Sequence, residues 1–181
     1  MCFDGTPGGL PYDDDDPGVT IILTEYDDCA SVHGDYVTLD AGGGNDGILL
    51  VGDYGAIDGG GGDDAITLRA SATKVNGDAG DDTITLEYGF GNTLKGGNGD
   101  DTLIMLSGDY NTLKGEKGED TIRITGDYNF AYGGSGNDDV YVAGGSTNYV
   151  YGDGGAGDVC DSGAGAADTY CDCETAGGGC A

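Results

Sequence analysis

Six short stretches of this chain combine glycine and aspartate at a fixed spacing: AGGGND (41–46), GGGGDD (59–64), GDAGDD (77–82), GGNGDD (96–101), GEKGED (115–120) and GGSGND (133–138). The fourth position is always Gly and the sixth always Asp. Glycine suits a turn that tightens at positive φ or brings its backbone close to an ion, and aspartate adds a carboxylate. Turn carbonyls and carboxylates are hard oxygen donors, which select calcium over zinc or copper. Magnesium keeps its waters and a strict octahedron, so a flexible carbonyl-rich turn suits it less. One such turn would need no more explanation than the turn-forming habit of Gly and Asp; six in register do.

The elements that must hold these turns follow from the repeat. Six consecutive copies start at His33, Val51, Arg69, Tyr88, Ser107 and Thr125, spaced by 18, 18, 19, 19 and 18 residues, and a degraded seventh follows from Ala143. The extra residue of the longer copies is placed at Glu87 and Leu106. If short strands alternate in and out, three columns face inward. They read Leu39, Ile57, Val75, Leu94, Leu113, Ala131; then Ile48, Ile66, Ile84, Leu103, Ile122, Val140; then Leu50, Leu68, Leu86, Met105, Ile124, Val142. All are apolar, whereas a disordered acidic chain would show no such periodicity.

No one copy can bury its own apolar residues, but a stack can. The expected fold is therefore all-β, a parallel β-solenoid of about six to seven coils of 18–19 residues, with strands pairing coil to coil at ~4.8 Å. Stacking places Asp46, Asp64, Asp82, Asp101, Asp120 and Asp138 in one column, where bare carboxylates would repel. The chain already carries 34 acidic residues against 6 basic ones, a formal net charge of −28, with 40 Gly and no Trp. Such self-repulsion opposes a compact state, and divalent cations between successive coils relieve it.

The pattern GGxGxDxUx, present as GGNGDDTLI (96–104) and GGSGNDDVY (133–141), resembles the nonapeptide calcium-binding repeat of RTX (repeats-in-toxin) proteins. The resemblance covers residues 33 to about 159. It implies a right-handed β-roll that binds several Ca2+ ions between the turns of neighbouring coils, as in that family's secreted bacterial toxins, proteases, lipases and adhesins. It carries the metal role to the six Asp above, with glycine carbonyls of the same turns as co-ligands: Gly42, Gly44, Gly60, Gly62, Gly80, Gly97, Gly99, Gly118, Gly134 and Gly136.

The chain departs from that family at the opposite turn, which reads HGDYV, VGDYG, RASAT, YGFGN, SGDYN and TGDYN. Here Asn92, Asn111 and Asn129 are expected to form a neutral ladder bonding turn backbone. Asp35, Asp53, Asp109 and Asp127 are read as solvated acids, with a weaker second cation row as the alternative. Tyr36, Tyr54, Tyr110 and Tyr128 are expected to stack as structural cover.

Residues 1–32 read as an N-terminal cap, 33–159 as the calcium-binding repeats and 160–181 as a Cys-rich cap or tail. The six cysteines, Cys2, Cys29, Cys160, Cys171, Cys173 and Cys180, lie only in the ends. Their even number fits disulfide-stapled ends and an oxidising compartment. A staple between Cys2 and Cys29 is expected, and the remaining connectivity stays open. No signal peptide is visible, so the expectation is an exported protein, secreted or at the cell surface, whose leader lies outside this sequence. The longest apolar stretch, around Ile21 to Leu23, is too short to span a membrane.

Function is expected to be calcium binding that drives folding of an extracellular structural module. The alternative is surface recognition, as an adhesin or a polysaccharide or ice binder, through an exposed solenoid face. The candidate features for it are the threonines Thr83, Thr102 and Thr121, and Lys95 and Lys114 beside Phe130, Tyr132, Tyr149 and Tyr151. Candidate partners are calcium ions, a polysaccharide or cell surface, and copies of the chain stacked end to end. Nucleic acid is disfavoured by the sign of the charge. No enzyme is expected: His33 is the one histidine, and no catalytic pairing accompanies it.

Overall fold

The computed structural model describes residues 18–162, 168–171 and 173. Its strands run in chain order as β1 Thr20–Ile22, β2 Cys29–His33, β3 Thr38–Asp40, β4 Gly47–Val51, β5 Ala56–Gly61, β6 Ala65–Arg69, β7 Lys74–Ala79 and β8 Thr83–Tyr88. They continue as β9 Thr93–Asn98, β10 Thr102–Met105, β11 Thr112–Lys117, β12 Thr121–Thr125, β13 Phe130–Ser135, β14 Asp139–Gly144, β15 Tyr149–Gly154, β16 Val159–Ser162 and β17 Thr169–Cys171. Odd strands form one parallel sheet of nine and even strands another of eight, each strand pairing with its equivalent in the next coil. The result is a parallel β-solenoid of about eight coils. No helix long and apolar enough to cross a membrane occurs among the described residues.

The repeat fixes register directly, because residues one period apart become partners. Ala30, Ile48, Ile66, Ile84, Leu103, Ile122, Val140 and Cys160 form one continuous column. Ile21, Leu39, Ile57, Val75, Leu94, Leu113, Ala131 and Val150 form another on the facing sheet. Every member from Leu39 to Val150 is at most 4% exposed, so the core is a seam between two sheets. Burying a side chain of this kind contributes about 1.5–3 kcal/mol, and each coil supplies three.

Regular pairing extends past residues 33–159 on both sides. β1 and β2 already pair with the coil that follows, so regular pairing begins within residues 18–32. Val159–Ser162 and Thr169–Cys171 extend it at the other end. The first of the two longer copies accommodates its extra residue as a bulge: Leu68 pairs with Leu86 but Arg69 with Tyr88, leaving Glu87 out of register. Glu87 instead reaches back to Arg69, Oε2 to Nε at 2.6 Å. Leu106, one coil on from Glu87, points outward and is 55% exposed.

A disulfide joins Cys160 to Cys173 with Cα atoms 5.7 Å apart, anchoring the C-terminal segment to the last core column. Cys29 is also disulfide-bonded. Its expected partner Cys2 lies outside the described residues, as do Cys180 and the acidic run 13–16.

Candidate functional site

The acidic corner follows each odd strand. All ten predicted glycines, Gly42, Gly44, Gly60, Gly62, Gly80, Gly97, Gly99, Gly118, Gly134 and Gly136, have φ between +90° and +142°. At the fourth position the reason is also steric. A Cβ on Gly99 would overlap the carbonyl of Gly80, and one on Gly118 that of Gly99. The second position shares the positive φ even where Asp78 (79°) and Glu116 (80°) replace glycine.

The six predicted aspartates are brought together as one ladder pointing inward, each at most 2% exposed. Each main-chain N–H donates to Oδ1 of the aspartate in the next coil: Asp46 to Asp64 at 2.7 Å, Asp64 to Asp82, Asp82 to Asp101 and Asp101 to Asp120 at 2.8 Å, and Asp120 to Asp138 at 2.9 Å. The ladder is longer than the sequence pattern indicated. Asp28 donates to Asp46 at one end, and Asp138 donates to the buried Asp158 at the other. Asp158 is the seventh rather than the sixth residue of its turn, GDGGAGD (152–158), which takes it off the repeat pattern.

One oxygen of each carboxylate is thus occupied. The other, Oδ2, is buried without a protein partner in Asp46, Asp64, Asp82, Asp101, Asp120 and Asp138. Burial is the main cause of their raised pKa values, opposed by the N–H bond and reinforced by neighbouring carboxylates. Asp64 and Asp101 are pushed up to about 7, and Asp46, Asp82 and Asp120 to about 6. Asp138 moves in the same direction.

The glycines that open five of the six turns, which are not among the ten predicted ones, border this row. A Cβ on Gly59, Gly77, Gly115 or Gly133 would meet Oδ2 of its own turn and the carbonyl of the equivalent glycine one coil on. Carboxylate and carbonyl oxygens therefore flank the same narrow seam, kept open because no side chain fills it. That donor chemistry fits a hard divalent cation. The set is one carboxylate per coil plus backbone oxygens: no group of three His, Cys, Asp or Glu side chains arranged to hold a metal occurs among the described residues.

A second ladder, absent from the expected set, runs along the outside of the same turns with opposite polarity. Asp63 donates to Asn45, Asp81 to Asp63, Asp100 to Asp81 and Glu119 to Asp100, all through the main-chain N–H at 2.8–3.0 Å. It was legible as the acidic or amide fifth position of each turn.

The opposite corner solves the same stacking problem without charge. Asn92, Asn111 and Asn129 accept the N–H of the preceding rung at Oδ1, as Thr73 to Asn92 at 2.9 Å and Asn92 to Asn111 at 2.8 Å, and Asn148 extends the row. Their Nδ2 groups donate to the carbonyls of Ala70, Gly89, Gly108 and Gly126. Both polar atoms of each amide are used. Asp53 and Asp127, by contrast, sit outside and accept from Ser71 and Ser146.

On the outer face of the nine-stranded sheet, Lys95 pairs with Glu116 at 2.6 Å and Lys114 lies 5.2 Å from the Tyr132 ring centre. Phe130 stacks on Tyr149 and Tyr132 on Tyr151, centroids 5.0 and 4.9 Å apart. On the other sheet Thr83, Thr102 and Thr121 align, but the neighbouring column changes from Thr85 to Ile104 and Arg123.

Compared with protein-family models, with curated proteins and with solved structures, the chain finds no match; what it shows is a parallel β-solenoid with a stacked, buried aspartate ladder, consistent with a β-roll.

Proposed function

We propose that this protein is a calcium-dependent structural module of an exported or surface protein, of the RTX type, in which Ca2+ ions are held between successive acidic turns. The observation that carries the reading is the contrast between the two corners. Asparagine satisfies one corner completely, yet the other uses aspartate and leaves one buried oxygen per coil without a partner. An unpaired buried charge is costly, so the aspartate row needs a counter-charge that asparagine would not need.

In this reading Asp46, Asp64, Asp82, Asp101, Asp120 and Asp138, with carbonyls of the turn glycines, hold the ions. Bound calcium supplies positive charge that neutralises the row. Extracellular modules bind calcium at about 0.1–1 mM. Binding to the folded state alone stabilises it by RT ln(1 + [L]/Kd) per site, so several sites in one rod give a steep response. At the low calcium of a cytoplasm the repelling row keeps the chain expanded; outside the cell it locks.

The test is circular dichroism during a calcium titration after chelator treatment, with disulfides intact and magnesium as control, on wild type and Asp101→Asn. A cooperative gain of β signal with calcium alone, weakened in the variant, is expected. Equal signal with and without calcium would mean that apolar stacking and disulfides hold the rod unaided.

A further inference from the structure

The corner that carries the asparagine ladder also carries an interrupted ladder of exposed rings. One residue per coil adopts left-handed backbone there: Tyr36, Tyr54, Ala72, Gly91, Tyr110 and Tyr128, with φ between 54° and 67°. Tyr36 stacks on Tyr54 at 5.0 Å, and Tyr110 on Tyr128 at 5.2 Å, with ring planes within 11° and 4°. Between the pairs, Ala72 and Gly91 bring no ring, and the space where a Gly91 side chain would start is open.

Three coil steps separate Tyr54 from Tyr110, about 14 Å at ~4.8 Å per strand. Each tyrosine already has a ring on its far side, so its other face looks into the gap. Two stacked rings would restore the ladder. The gap is also where the corner is most apolar: Tyr88, Phe90 and Leu106 are 54%, 63% and 55% exposed. Exposed apolar groups gathered in one place mark binding surfaces, and the rest of this surface is dominated by carboxylates.

We propose that this gap is a binding slot for planar aromatic cations, two of which stack between Tyr54 and Tyr110 over Ala72 and Gly91. Planarity follows from the two facing rings and the ladder spacing. Positive charge follows from a molecule of net charge −28, whose field concentrates cations, and from Asp53 and Asp109 in the turns that carry the two walls. Cation–π attraction to the tyrosines adds to stacking.

Proflavine, a flat tricyclic cation, is the probe. It is titrated by fluorescence anisotropy against the full chain in calcium and about 0.15 M salt, where loose surface attraction is screened. Wild type is expected to bind saturably, and the double variant Ala72→Tyr, Gly91→Tyr at least tenfold more weakly, because its own rings fill the slot. Tyrosine is already accommodated at this φ in four coils, so the variant keeps the fold, which circular dichroism checks. Phe130→Ala, on the other face, is expected to bind as wild type does. Equal affinity in the double variant, or no saturable binding by wild type, overturns the slot; neither result bears on whether calcium folds the rod.

Discussion

The main-chain N–H of Asp82 donates to Oδ1 of Asp101 at 2.8 Å, while Oδ2 of Asp101 is buried with no protein partner. Repeated from coil to coil, this relationship makes the ladder both a structural rail and a row of oxygen atoms that needs positive charge.

The two corners should respond oppositely to charge. Asn111 spends Oδ1 on Asn92 and Nδ2 on the Gly89 carbonyl. Asn111→Asp places a carboxylate where that carbonyl is already a neighbour, and is expected to cost about 3–5 kcal/mol, the range for an uncompensated buried charge. Urea denaturation in saturating calcium measures it. A loss below about 1 kcal/mol would show that the second corner tolerates charge as the first does.

Stability should depend on pH in a calcium-sensitive way. Without calcium the folded-state pKa values of Asp64 and Asp101, about 7, and of Asp46, Asp82 and Asp120, about 6, exceed the ordinary value of 3.8. The fold then binds more protons than the unfolded chain. Its stability from these groups is fully present below about pH 4 and is lost as pH rises through 6 to 7. In chelator the melting temperature should fall from pH 5 to pH 8. In calcium the trend should flatten or reverse, since protons compete for the same oxygens.

Glycine should be needed most at the fourth turn position. Gly99→Ala combines a φ of 134° with an overlap on the Gly80 carbonyl, whereas Gly91→Ala has a φ of 67° and open space. The left-handed region alone costs an L-residue about 1–2 kcal/mol. Gly91→Ala is therefore expected to stay near that value and Gly99→Ala to exceed it, read from thermal melts of the two variants.

The Cys160–Cys173 bond should protect one end only. Cys173→Ser, which removes this bond and leaves that of Cys29, is expected to raise amide exchange in β14–β16 while leaving β7–β10 unchanged, because coils contact only their neighbours and solenoid stability is a sum of local terms. Uniform acceleration along the rod would instead indicate that the end cap nucleates the whole stack.

The sequence alone determined the stack. A period of 18–19 residues with apolar side chains at three fixed positions admits one arrangement in which Ile66, Ile84 and Leu103 share a column, and glycine at the fourth turn position marks where backbones meet. The same periodicity placed Asp46 through Asp138 on one line. Only the tertiary structure decided which way that line faces and what each oxygen touches. A column at a corner can point to solvent, as Asp63, Asp81 and Asp100 do, or inward, as their neighbours Asp64, Asp82 and Asp101 do, and the difference lies in turn geometry set across coils. It also decided that Asp28 and Asp158 join the row. Asp28 keeps the 18-residue period but its turn, LTEYDD (23–28), lacks the glycines, while Asp158 falls 20 residues after Asp138, and hydrogen bonding to an adjacent coil is what brings both in.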